Sequence, residues 1–170
     1  QGSTIITRDS DTTTSDHATV VSAMMVGRTQ GGSNIGVAPD ATLYSCITPD
    51  ITALYSGIEW LIDSGVNVIN GSLSSEKEGE YGDVSKWLDH VAVMHDVHLV
   101  FAAGNSYKFV NSLGLAYNAI AVGSFNSNNS ITLSLYEISG FSSYVEATTD
   151  RPEKPNIVAF SVYIWNIEQI

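Results

Sequence analysis

Apolar positions along this chain fall into two alternating textures: stretches where they recur three and four residues apart, and short near-continuous runs that stop at Gly, Asn or Ser. In the first texture, Ile51, Leu54, Tyr55, Ile58, Leu61 and Ile62 predict a helix over Ile51–Asp63, closed by Ser64-Gly65. Val84, Trp87, Leu88, Val91 and Met94 share one side of a second helix, over 83–96. Val20, Val21, Met24 and Met25 predict a third, capped by Asp16, running to about Gly27 and broken by Gly31-Gly32-Ser33-Asn34. The second texture predicts strands at 41–46, 66–70, 98–102, 118–122 and 156–159, with 131–136 and 144–147 as shorter β candidates. The Thr4-Ile5-Ile6-Thr7 run reads as an extended or hairpin segment. Polar sequence at 123–130, and the two prolines of Asp150-Arg151-Pro152-Glu153-Lys154-Pro155, read as loops. This alternation of strands and helices predicts an α/β fold with a mostly parallel sheet covered on both faces.

The 170 residues are enough for one domain and one core. Seven basic residues against 18 acidic ones give a net charge of −11, which counts against nucleic acid and anionic membranes as partners. The same charge suits cationic substrates, bound calcium or simply an acidic soluble enzyme. The single cysteine, Cys46, excludes an internal disulfide and a cysteine-based metal cluster. It ends a strand-like run and reads as a buried structural thiol. No run approaches the ~18 apolar residues of a spanning helix, and no basic-then-apolar leader opens the chain, so no membrane span is expected.

Ligands of open parallel sheets bind at the carboxyl ends of strands, and those ends here carry Cys46, Ser72-Leu73-Ser74 and Gly104-Asn105. The run Val100-Phe101-Ala102-Ala103-Gly104-Asn105 presents an amide at the tip of a buried strand. That amide suits either a donor to a developing oxyanion or a turn asparagine satisfying local backbone groups. Of the four histidines, His17, His90, His95 and His98, only His17 opens a predicted helix near such groups, where a general base for a hydroxyl nucleophile would sit.

In order along the chain, His17-Ala18-Thr19-Val20-Val21, Gly36-Val37-Ala38-Pro39, Gly57-Ile58-Glu59-Trp60, Val68-Ile69-Asn70, Ser72-Leu73, Gly104-Asn105 and Lys154-Pro155-Asn156-Ile157-Val158-Ala159 resemble the subtilisin-like serine proteases, the subtilases. The resemblance covers most of residues 15–160. It implies a three-layer α/β sandwich and a serine endopeptidase acting through an Asp/His/Ser triad. By the same resemblance His17 is the catalytic base and Asn105 the oxyanion donor, while Ser72, Leu73, Ser74, Ala103 and Gly104 line the substrate cleft.

The chain departs from the family at Ala18, where glycine follows the histidine, at Val20, Ser22 and Ala23, at Ser74, where glycine is usual, and at Phe160, where proline is expected. Two triad members are not identified. Asp9-Ser10 lies too close to His17 for the family's aspartate, Asp11 and Asp16 read as turn and cap residues, and no Gly-Thr-Ser motif occurs. The expectation is therefore the middle of a subtilase catalytic domain, incomplete at both ends, inactive alone and dependent on complementary chains. The alternative is a catalytically inactive subtilase-like fold that binds peptides or partner proteins, favoured by Ala18, Ser74 and Phe160. A nucleotide-binding α/β protein is disfavoured, because no phosphate-cradling Gly-rich loop follows the first strand. No cofactor is required. Calcium stabilises many subtilases, but residues 30–34 offer Gln30 and Asn34 without a carboxylate, so no metal ligand is assigned. The resemblance implies a peptide or protein substrate, and a secreted or cell-surface location.

Overall fold

The computed structural model describes residues 4–8, 15–29, 31, 33–74, 79–128 and 130–160. It divides into two compact units, Gln1–Val66 and Asn67–Ile170. Asp9, Asp11, Gln30, Glu76 and Glu78 lie outside the described residues.

In the first unit, strand β1 (Ile5–Thr7), helix α1 (Asp16–Val26), strand β2 (Leu43–Ser45) and helix α2 (Ile51–Asp63) follow one another. β1 and β2 pair in parallel, Ile5 opposite Leu43 and Thr7 opposite Ser45. The cap of α1 is Ser15, one residue before the expected Asp16, which instead forms the first helical turn and places its carboxylate at the positive end of the helix dipole. The expected apolar face of α1 is largely open, since only Val26 is buried and Met24 is 52% exposed.

Beyond Gly27 the chain turns back, and the amides of Val37 and Ala38 donate to the carbonyls of Met24 and Met25, satisfying groups the helix end leaves orphaned. Gly36 is required there. A Cβ at that position would lie 2.5 Å from the Gly27 nitrogen. Helix α2 matches its expected bounds, because its signals are local. Asp50 caps it by accepting from the Ala53 amide at 2.8 Å, Leu54, Ile58 and Leu61 are buried, and Gly65 at φ +79° ends it. Cys46 follows β2, half-buried, at the spot where α2 presents Gly57.

The second unit contains β3 (Val68–Gly71), α3 (Asp83–His95), β4 (His98–Ala102), β5 (Ala119–Asn126), β6 (Glu137–Ile138) and β7 (Ile157–Phe160). β3, β4 and β5 run parallel in that order; β7 pairs in parallel with β5, and β6 pairs antiparallel with its end. The fold is α/β with a mostly parallel sheet. One sheet face is buried through Ile69, Leu99, Phe101, Ala119 and Ala121 against α3, whose Leu88, Val91 and Ala92 are buried; Val110, Leu115 and Val145 form a further buried cluster. On the other face Val68, Ile120 and Ile157 are 58%, 40% and 54% exposed.

The buried side of α3 runs through Ser85, Leu88 and Val91, not through Met94, which is 63% exposed. Ser85 is tolerated in the core because its hydroxyl donates to the Ser112 carbonyl at 2.6 Å. Three β expectations shift. β5 continues through Gly123 to Asn126, because β7 pairs with Val122–Phe125. Residues 131–136 form a 3-10 turn, Leu133–Leu135, ahead of the short β6. At 144–147 only an isolated bridge forms, Val145 with Lys154.

Candidate active site

His17 belongs to the first unit. It is the second residue of α1, half-buried, one turn before the apolar residues that predict the helix. The Ser15 side chain accepts from the Ala18 amide at 3.4 Å, and the Thr19 hydroxyl donates to the Ser15 carbonyl at 2.9 Å, so the motif His17-Ala18-Thr19 is the capped first turn itself. Ala18, the departure beside the histidine, is exposed, and its methyl group packs into no core.

The other site residues predicted from sequence belong to the second unit, where the register brings them to one edge. Gly71 at the end of β3 is opposite Phe101 in β4, so Ser72-Leu73-Ser74 and Ala103-Gly104-Asn105 leave the sheet side by side at its carboxyl end. A Cβ on Gly71 would run into the Phe101 ring, which fixes glycine at that exit. Ser72 and Leu73 are half-buried, Ser74 and Asn105 exposed, and Ala103 is buried at 1% exposure. The Ser72 hydroxyl accepts from the Asn70 side-chain amide at 3.0 Å. Gly104 has φ +108°, a conformation that side chains rarely adopt, and this turn swings Asn105 out of the strand.

Two side chains not singled out in the sequence hold this edge together. Asn111 is fully buried; its amide group donates to the Leu73 carbonyl at 2.7 Å and its backbone N–H to the Ala103 carbonyl at 2.8 Å, tying the two segments to each other. Ser143, also fully buried, meets the other flank of the turn: its N–H donates to the Gly104 carbonyl at 3.1 Å and its hydroxyl accepts from the Ser106 amide at 2.9 Å. Serine and asparagine usually lie at the surface. Burial of Ser139, Ser142 and Ser143 together depends on contacts distant in sequence, so the only local signal was the Ser-rich stretch itself.

A cavity of about 370 Å³ opens beside the turn, lined by Tyr107, Ile138, Ser143, Tyr144, Pro155 and Val158 among others. Tyr107 and Tyr144 meet edge to face at 5.3 Å at its rim. The Tyr144 hydroxyl has its pKa raised, chiefly by its interaction with the Tyr107 side chain. Among the described residues, no group of three or more His, Cys, Asp or Glu could hold a metal ion. Asn34 bridges to Arg28 through the backbone.

Residues 3–168 match the subtilase family. Subtilisin E of Bacillus subtilis (strain 168) is 32% identical over 127 residues, which cover 68% of this chain but only 32% of subtilisin E. The chain thus spans about a third of that relative's length. Two solved structures share the fold: the prenylagaramide maturation protease PagA, at 20% identity and TM-score 0.65 over 85% of this chain and 52% of that one, and the PatG macrocyclase in complex with a peptide, at 16% identity and TM-score 0.56 over 73% and 36%.

Proposed function

The chain belongs to the subtilase family, and from that premise we propose that it forms the central part of a serine endopeptidase catalytic domain. In this reading His17 is the general base that takes the proton of a serine hydroxyl, and the Asn105 side-chain amide donates to the oxyanion of the tetrahedral intermediate. Ser72, Leu73, Ser74, Ala103 and Gly104 flank the substrate. A parallel strand edge that ends in two loops offers an extended peptide a place to lie, and the peptide bound by the PatG macrocyclase makes a peptide substrate the natural assignment. The nucleophilic serine and the aspartate that orients His17 come from the rest of the protein, which also covers the exposed sheet face of the second unit. These 170 residues alone are expected to be inactive. Secretion or surface display is proposed on family grounds; no helix among the described residues is long and apolar enough to cross a membrane.

The observation that supports the reading most is the Gly104-Asn105 turn. Its positive φ and its buried braces fix the backbone, while the asparagine is left exposed to an incoming group. A donor held in advance stabilises charge that appears only in the transition state, and its loss should therefore fall on kcat and not on KM. In the full-length protein, Asn105→Ala is expected to lower kcat for peptide hydrolysis by roughly 10²–10³, the range known for this donor in subtilisin itself, with KM little changed. Unchanged kcat in that variant would overturn the assignment. The second reading, an inactive peptide binder, is favoured by Ser74 and Phe160 standing where the family has glycine and proline; it requires binding of peptides without turnover.

A further inference from the structure

Asn105 is exposed, so where its amide can reach depends first on the backbone that carries it. That backbone is fastened on both sides by one residue. Ser143 donates its N–H to the carbonyl of Gly104 at 3.1 Å and accepts the N–H of Ser106 at its hydroxyl at 2.9 Å, so the two peptide groups that flank Asn105 are tied to a single buried side chain and its own amide. The attachment point is firm. Ser143 is fully buried, and the pairing continues outward, with the Tyr107 amide donating to the Phe141 carbonyl and the Tyr144 amide to the Tyr107 carbonyl at 2.7 Å. Space is tight as well, since a Cβ on Gly104 would stand 3.1 Å from the Ser143 hydroxyl oxygen.

We infer that Ser143 is a positioning residue for the Asn105 amide: its hydroxyl locks the Gly104-Asn105-Ser106 turn so that the amide is already aimed before substrate arrives. The inference rests on the oxyanion reading of Asn105. Without the hydroxyl, the Ser106 N–H loses its acceptor and the turn gains a degree of freedom, while the contacts that bind the ground-state peptide remain. A displaced catalytic group can cost up to about 10²-fold for 1 Å of misplacement.

The test is a double-mutant cycle in the full-length protein with Ser143→Ala, Asn105→Ala and both together, reading kcat, KM and the affinity of a peptide boronate that forms a tetrahedral adduct. Ser143→Ala is expected to lower kcat and boronate affinity by about 10-fold, within that bound, at unchanged KM. In the Asn105→Ala background the same substitution should change kcat by less than about 2-fold, since independent sites would instead repeat the whole loss. Ser143→Cys, which keeps a side chain but a poorer acceptor, should fall between serine and alanine. If Asn105→Ala lowers kcat but Ser143→Ala does not, or if the Ser143→Ala loss persists undiminished without Asn105, the positioning role is overturned while the oxyanion reading stands. If Asn105→Ala itself has no effect, both fall.

Discussion

Lys154 is 2% exposed, and its ammonium group donates to the Ala119 carbonyl at 2.6 Å and to the Asn156 side-chain oxygen at 2.9 Å. Burial lowers its pKa to about 8, against a weaker opposing pull from the charge of Asp89. In the unfolded chain the group titrates near 10.4, so between about pH 8 and 10.4 the unfolded state binds the extra proton and stability rises with pH. Tyr81 works in the opposite direction at higher pH. Burial first, and its hydrogen bond to Asp89 second, raise its pKa to about 12, and the stability it contributes is lost as pH rises from about 10 toward 12. The clean window is thus pH 8 to about 9.5. There the urea midpoint of the protein should rise relative to that of Lys154→Met, and Asn156→Asp, which supplies a counter-charge, should flatten the rise. A midpoint that falls across this window, or tracks the Lys154→Met variant, contradicts the assignment. The sequence showed Lys154-Pro155-Asn156 only as a family-like segment; that its lysine is buried follows from strand β7 returning to β5, which no local pattern records.

Elements were legible where their signals are local. Helix α2 formed at its expected bounds because Asp50, an apolar repeat and Ser64-Gly65 all lie within one stretch of chain. The strands depend on partners. The 131–136 run has the composition of a strand, but only Glu137–Ile138 finds a place beside β5, and β5 itself outlasts its expected end because β7 arrives there from distant sequence. Glycines carry the closest packing between elements. Gly71→Ala would drive a methyl group into the Phe101 ring, which is 1% exposed and has nowhere to retreat. Overpacking of this kind typically destabilises by about 1–3 kcal/mol. The expected outcome is a lower denaturation midpoint, and, if the proposed function holds, weakened peptide hydrolysis in the full-length protein, because the β3 exit carries Ser72-Leu73-Ser74, the residues proposed to flank the substrate; a midpoint equal to that of the unsubstituted protein would show that Phe101 can yield.

At the scale of the whole molecule, the family was legible because its motifs keep their order from His17 to Lys154, although each alone is weak. The residues proposed to line the cleft were legible for the same reason. Their supports were not: Asn111 and Ser143 are ordinary loop residues until the chain folds around them. The base and oxyanion donor proposed for this chain have chemical meaning only with a serine to activate, and the chain covers only 32% of subtilisin E. The direct test is treatment of the native full-length protein with a serine-directed fluorophosphonate, followed by intact-mass and peptide mapping. One adduct is expected, on a serine outside these 170 residues, and it should be lost in the His17→Ala variant. A properly folded protein that takes up no probe, or one labelled equally well without His17, would contradict the proposed function.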